Sequence, residues 1–95
     1  MQSQIPHQSV GKSGLKVSRI ALGCMGMSGS WNPADVGPEN VKKAIAAFET
    51  ALEAGIDFFD HADIYGQNTC EQVFKECLKA VPGIRDKIII ATKCG

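Results

Sequence analysis

The chain has 95 residues and a mass of 10.1 kDa, so it forms at most one small domain. Ten basic and ten acidic residues give a formal net charge of zero, which argues against nucleic acid as a partner. No apolar run approaches the roughly 20 residues of a membrane helix, and the first ten residues lack the pattern of a signal peptide. We therefore expect a cytosolic (cytoplasmic) protein that does not enter a membrane.

The four cysteines do not form a metal-binding pattern. None belongs to a C-x-x-C pair, and their spacings match no common zinc site. Cys70 and Cys77 fall on one face of a predicted helix, where we expect buried free thiols. A disulfide framework is the less favoured alternative for a cytosolic protein.

The N-terminal segment predicts a β-hairpin. Two short apolar runs, residues 5–10 and 15–20, flank a four-residue connection with glycine at both ends, which suits a hairpin loop. The second run continues to Leu22, which predicts one strand that ends near Gly23. A loop with several glycines and the only tryptophan follows, over residues 23–38.

Two amphipathic helices are predicted, over residues 39–54 and 69–80, because apolar residues recur at spacings of three and four. Gly55 is placed to end the first helix in a left-handed conformation. The second helix has two candidate capping boxes at its start, and Pro82-Gly83 follows it. The boxes are Asn68 with Glu71 and Thr69 with Gln72. The predicted apolar faces are Val41, Ala44, Ile45, Phe48, Ala51 and Leu52, and Cys70, Val73, Phe74, Cys77, Leu78 and Val81.

Two further strands, over residues 56–60 and 87–92, are too apolar to be half exposed. The order is then hairpin, strand, helix, strand, helix, strand, and this alternation predicts a parallel sheet with right-handed crossovers. Three parallel strands and two helices leave open sheet edges, and eight such repeats need roughly 250 residues, the size of a closed (β/α)₈ barrel. We therefore expect the chain to be the first part of a longer protein.

Polar side chains follow the last two strands at their carboxyl ends, where the functional residues of parallel α/β folds are usually found. Adjacent parallel strands lie about 4.8 Å apart, so if these two strands are neighbours, Asp60 and Lys93 emerge at one rim, with Tyr65 on the loop above. A lysine ammonium beside a phenol favours the phenolate, and a carboxylate keeps that ammonium charged and oriented. The three residues are thus a candidate general acid.

At these residues the chain resembles the N-terminal part of the aldo-keto reductase family. The resemblance covers nearly the whole chain, in order, and its three segments are specific only when taken together. The segments are Leu15-Lys16-Val17-Ser18 with Leu22-Gly23, Gly55-Ile56-Asp57-Phe58-Phe59-Asp60 with Ala62-Asp63-Ile64-Tyr65-Gly66, and Ile89-Ile90-Ala91-Thr92-Lys93. The resemblance implies that residues 1–95 are the hairpin, first three strands and two helices of one (β/α)₈ TIM barrel, closed at its bottom by the hairpin.

The same resemblance implies reduction of small aldehydes or ketones with NADPH. Tyr65 would be the proton donor, and Asp60 and Lys93 would tune it. Gly23, Cys24, Met25 and Asp60 fall where the family contacts the nicotinamide end of the cofactor. The family's catalytic histidine follows the fourth strand, beyond residue 95, so the 95-residue chain is expected to be inactive alone.

A rival function is a non-catalytic, cofactor-binding regulatory subunit that kept the same barrel. The retention of Asp60, Tyr65 and Lys93 favours the enzyme. Met25, Met27 and Trp31 either line a substrate entrance or pack a loop, and the sequence favours neither role.

Other motifs near the candidate site carry less weight. His61 follows Asp60 directly and so points to the opposite side of the strand, which favours packing over catalysis. A metal site at Asp60, His61 and Asp63 lacks a second histidine cluster, so no metal is expected. The glycines at 23, 26 and 29 do not match the dinucleotide fingerprint, and the segment at 11–13 lacks the first glycine of a phosphate loop.

Overall fold

A computed structural model describes residues 5–94 of the chain. Five strands and two α-helices alternate in the predicted order, with short 3₁₀ helices at Pro33–Asp35 and Ile84–Lys87. The elements are β1 (His7–Ser9), β2 (Lys16–Ser18), β3 (Leu22–Gly23), α1 (Pro38–Ala54), β4 (Phe58–Asp60), α2 (Cys70–Ala80) and β5 (Ile89–Ala91). None of the helices in this part of the chain is long and apolar enough to cross a membrane.

The predicted hairpin is confirmed, since β1 and β2 pair antiparallel. The prediction of one strand running from residue 18 to Leu22 is wrong, because the chain bends after β2 and β3 joins a different sheet. Asp57 causes the break: its carboxylate accepts the Ser18 N–H at 2.8 Å, while the Ser18 hydroxyl donates to the Ile20 carbonyl at 2.7 Å. These contacts replace the hydrogen bonds that would continue the strand.

The hairpin is fixed to the amino-terminal end of the parallel sheet. His7 Nε2 lies 2.9 Å from the Asp57 carboxylate, just before β4, and the Asp57 N–H donates to the Ser18 hydroxyl at 3.1 Å. The hairpin therefore lies at the opposite end of the sheet from the carboxyl ends of its strands, as the barrel prediction requires.

The predicted parallel sheet is confirmed, and its strands lie in the order β3, β4, β5. Helix α1 begins one residue earlier than predicted, at Pro38, and is capped by Gly55, whose φ of 94° is the left-handed conformation expected of a glycine cap. The N–H groups of Gly55 and Ile56 donate to Leu52 and Ala51. This turn brings the chain back to the start of β4.

An aromatic cluster holds both helices on one face of the sheet. The rings of Phe48 in α1, Phe59 in β4 and Phe74 in α2 lie 5.0–5.6 Å apart between centroids, and all three are buried. Their tilted and edge-on arrangement is favourable for aromatic rings. Except for Cys70, the other members of the predicted apolar faces of both helices are buried or partly buried around this cluster.

Two expectations about burial and capping are wrong. Strand β5 is half-buried rather than fully covered, and so is Phe58 of β4, because both helices pack on the same face of the sheet. Neither capping box forms at α2, whose N-cap is Thr69 with helical φ and ψ. The Thr69 hydroxyl donates instead to the Gly66 carbonyl at 2.6 Å, so it is used by the preceding turn.

We expect Phe48→Ala to destabilise the protein strongly. Removing the ring takes away the contacts that join α1 to β4 and α2, and such substitutions cost about 3–5 kcal/mol in the free energy of unfolding. Denaturant unfolding measures the change. Ile20→Ala is the control, since that side chain is 56% exposed and should alter the free energy by about 0.5 kcal/mol or less. Equal effects of the two substitutions would contradict the assignment of the core.

Candidate active site

The carboxyl ends of the three parallel strands lie at one rim. Gly23 at the end of β3 is opposite Asp60 at the end of β4, and Asp60 is opposite Ala91 at the end of β5. Beyond the strands the pairing continues, because the N–H groups of His61 and Asp63 donate to the carbonyls of residues 91 and 93. This register carries Lys93 to the rim beside Asp60.

Lys93 is the centre of the candidate site. Its Nζ donates to Asp60 Oδ1 at 3.0 Å and to the His61 carbonyl at 2.7 Å, and it lies 5.3 Å from the centroid of the Tyr65 ring. The structure therefore brings together the three residues that the sequence placed in one group. The Lys93 and Asp60 side chains are 57% and 47% exposed, so the ion pair faces solvent and contributes little to stability.

These neighbours keep Lys93 protonated. The hydrogen bond to Asp60 raises the pKa of Lys93 above its usual value, loss of hydration opposes this rise to a smaller extent, and the neighbouring Tyr65 adds a still smaller rise. The ammonium is therefore a fixed positive charge beside the phenol at any pH near neutrality.

Tyr65 is held on a tight turn between β4 and α2. Its N–H donates to the Ala62 carbonyl at 3.3 Å, and its carbonyl accepts the Cys70 N–H at 3.2 Å. The next three residues, Gly66, Gln67 and Asn68, all have positive φ, at 61°, 51° and 74°. Non-glycine residues in this region carry backbone strain, which is concentrated at functional sites.

The residues predicted to contact a cofactor lie on the neighbouring strand end and loop. Gly23 is exposed, and a Cβ added there would meet no atom within 4 Å. Met25 is 55% exposed, but the Cys24 side chain is buried in the core, where burial raises the pKa of its thiol to about 12. Cys24 meets the site only through its backbone, by donating its N–H to the Asp60 carbonyl at 2.9 Å.

His61 packs in the interior, as its position in the strand predicts. Its ring centroid lies 4.3 Å from that of Phe74, and the residue is 1% exposed. Neither ring nitrogen has a hydrogen-bond partner among residues 5–94. Burial lowers the pKa of His61 below its usual 6.5, while Glu71 and Asp60 oppose this shift and Lys93 adds to it.

Of the other predicted residues, Met27 packs against the core, whereas Trp31 is exposed. Cys70 and Cys77 are buried free thiols, as predicted. Within the residues that the structure describes, no group of three or more acidic, histidine or cysteine side chains could hold a metal ion.

Sequence reasoning missed two sets of contacts at this rim. The first is the His61 carbonyl, which any residue type could supply and which therefore leaves no signal in the sequence. The second is a buried contact between the two loops, made by Ser28, Gly66 and Cys70. The glycine after Tyr65 was the only signal for it, since glycine tolerates both the left-handed backbone and the close approach.

Comparison with known proteins identifies the family of the chain. A model of the Aldo/keto reductase family matches residues 19–95, which include Gly23, Asp60, Tyr65 and Lys93. The chain belongs to the aldo/keto reductase family. A probable aldo-keto reductase from Glycine max is 40% identical over 94 residues, which are 99% of the chain and 25% of that protein.

Two other relatives extend the comparison. A 6-dehydroglucose reductase from Agrobacterium fabrum is 44% identical over 81 residues, or 85% of the chain and 25% of that protein. An aldo-keto reductase from Bacillus halodurans, solved in its holo form, superposes with a TM-score of 0.76 and 34% identity over 96% of the chain and 26% of its own. The chain thus spans about a quarter of the length of these relatives.

The structural match confirms the fold class. The hairpin, the parallel strands β3, β4 and β5 and the two helices correspond to part of a (β/α)₈ TIM barrel. The candidate site is at the carboxyl ends of the strands, where this architecture carries its active sites.

We expect His61 to lower the free energy of unfolding as the pH becomes mildly acidic. The folded state favours neutral His61, so below pH 6.5 the unfolded chain takes up a proton that the folded chain resists. Stability is therefore lost as pH falls from 6.5 through the lower pKa of the folded state. Denaturant midpoints at several pH values should show a smaller loss in His61→Leu than in the wild type. Parallel pH dependence in the two proteins would contradict this expectation.

Proposed function

We propose that the complete protein reduces aldehyde or ketone carbonyls by transfer of a hydride from NADPH, with Tyr65 as the proton donor. The observation that carries this proposal is the position of Lys93 Nζ, 3.0 Å from Asp60 Oδ1 and 5.3 Å from the Tyr65 ring centroid. The relative named 6-dehydroglucose reductase supports the reductive direction. Residues 1–95 would be the first part of a single barrel domain.

The rim fits the nicotinamide end of such a cofactor. A planar ring needs a surface without a projecting side chain, and the exposed Gly23 has open space where a Cβ would be. A carboxylate accepts hydrogen bonds from sugar hydroxyls, and Asp60 keeps one oxygen for them because Lys93 binds the other. When bound, the dinucleotide would supply the hydride that reaches the carbonyl carbon.

The chain's own residues supply the proton. In this proposal the Tyr65 hydroxyl donates its proton to the substrate oxygen as negative charge develops there. The Lys93 ammonium stabilises the phenolate that remains, because opposite charges attract most strongly once solvent is excluded. Asp60 and the His61 carbonyl fix the ammonium in place, so that no reorganisation is needed during the reaction.

We expect Tyr65→Phe to remove carbonyl reduction from the complete protein. The ring still packs on the turn, but the proton donor is lost, and a positioned general acid contributes about 10²- to 10⁴-fold in rate. Steady-state kinetics with a reactive test aldehyde measures the loss, and NADPH binding should stay near the wild-type value. Wild-type turnover in this variant would mean that another group donates the proton. A wild type that binds NADPH without turnover would favour the regulatory subunit.

We expect Lys93→Met to lower activity by about 10²- to 10⁴-fold with little change in stability. Methionine keeps most of the length and apolar volume of the side chain, but the phenol loses its neighbouring positive charge. Lys93→Arg should restore little, since a planar guanidinium does not replace a compact ammonium.

The pH–rate profile separates this role from a general effect of charge. The profile should change in Lys93→Met and stay as in the wild type in Lys87→Met, which removes an exposed lysine before the other end of β5. An unchanged rate and profile in Lys93→Met would make Lys93 an ordinary lysine at a strand end.

A further inference from the structure

Cys70 touches both loops of the rim. It is the first residue of α2 and is fully buried. Its N–H donates to the Tyr65 carbonyl at 3.2 Å, and its thiol donates to the Met25 carbonyl at 3.3 Å, although Met25 is 45 positions away in the sequence. One side chain and its own backbone therefore join the turn that carries Tyr65 to the loop that follows β3.

Close packing between the loops surrounds this link. The Cys70 thiol lies 3.4 Å from the Ser28 hydroxyl. A Cβ added to Gly66 would lie 2.6 Å from that hydroxyl and 2.4 Å from Thr69 Oγ1, which is too close for any residue except glycine. Residues with positive φ follow Tyr65, and such strained turns persist only where their surroundings hold them. The contact with Cys70 and Ser28 supplies that restraint.

The loop after β3 is in turn tied to α1. The Asn40 amide donates to the Ser28 carbonyl at 2.9 Å, and its oxygen accepts the Gly37 N–H at 3.0 Å at the start of the helix. Ser28 also donates its hydroxyl to the Ser30 carbonyl at 2.9 Å. Cys70 therefore connects the Tyr65 turn to a loop that is itself anchored, rather than to a free segment.

We propose that Cys70 is a positioning residue that sets the spacing between Tyr65 and the cofactor-contacting segment at Gly23–Met25. This inference rests on the proposed function, because the cofactor is placed against Gly23 there. The thiol acts through its hydrogen bond and its size, and it takes no part in the chemistry. Cys70 touches the backbone of Tyr65 and Met25, so its loss displaces the proton donor and the cofactor relative to each other.

Cys77 provides a matched control for buried volume. It is the same residue type on the same helix and is also fully buried, but it lies seven residues further on, and within residues 5–94 no hydrogen bond joins it to either loop. Cys70→Ala and Cys77→Ala remove the same atoms from the interior of α2. A purely structural role for Cys70 predicts the same consequences for both variants.

The experiment compares these variants in the complete protein by amide hydrogen exchange and by steady-state kinetics. Cys70→Ala should speed exchange in residues 24–29 and 62–69, raise KM for NADPH and lower kcat by roughly 10- to 100-fold, as expected of a misplacement of about 1 Å or less. Cys70→Ser keeps a donor and should retain most of the activity. Cys77→Ala should lower thermal stability while leaving exchange in both loops and kcat unchanged.

The readouts distinguish this proposal from the proposed function. If the wild type shows no carbonyl turnover but Cys70→Ala still exchanges faster in both loops, the link between the loops through Cys70 would be supported and the proposed function overturned. Identical exchange and kinetics in Cys70→Ala and Cys77→Ala would overturn the positioning role. If the alanine variant does not fold, Cys70→Val fills the space without a donor and carries the same expectations.

Discussion

The burial of Phe59 fixes the orientation of β4, and the candidate site depends on that orientation. Phe59 lies between Phe48 and Phe74, so the helices hold its ring on their side of the sheet. Side chains alternate along a strand, so Asp60 must face the other way and His61 must return to the helix side. A slip of one residue would bury Asp60 among aromatic rings and expose Phe59, which makes that register very unfavourable.

Contacts that follow from local pattern could be predicted from the sequence, and contacts between distant residues could not. The apolar faces of the helices, the Gly55 cap and the meeting of Asp60 with Lys93 all follow from periodicity and from the common edge of parallel strands. The break after Ser18 depends on Asp57, 39 positions later. The capping box at the start of α2 is missing because the Thr69 hydroxyl donates to the Gly66 carbonyl in the preceding turn. Periodicity contains no signal for such partners.

The exposure of the Asp60–Lys93 pair is consistent with a role in catalysis rather than in folding. The pair faces solvent, where an ion pair adds little to stability and salt screens it. The same charges act more strongly when a ligand covers the rim and displaces water. The two hydrogen bonds from Lys93 Nζ hold the ammonium in place before that happens. The site is therefore organised in advance, while its electrostatic effect on the Tyr65 phenol depends on binding.

The two sides of β4 have different surroundings, and the backbone connects them. Asp60 and Lys93 lie on the open side, while His61 packs against Phe74 on the helix side and still provides the carbonyl that binds Lys93. Cys70 likewise has a buried thiol, while its backbone N–H donates to the Tyr65 carbonyl. In both residues a buried side chain fixes a backbone group that makes a hydrogen bond at the rim. Core packing in this part of the barrel therefore sets the geometry of the candidate site, and under the proposed function substitutions that never touch a ligand can still alter the reaction.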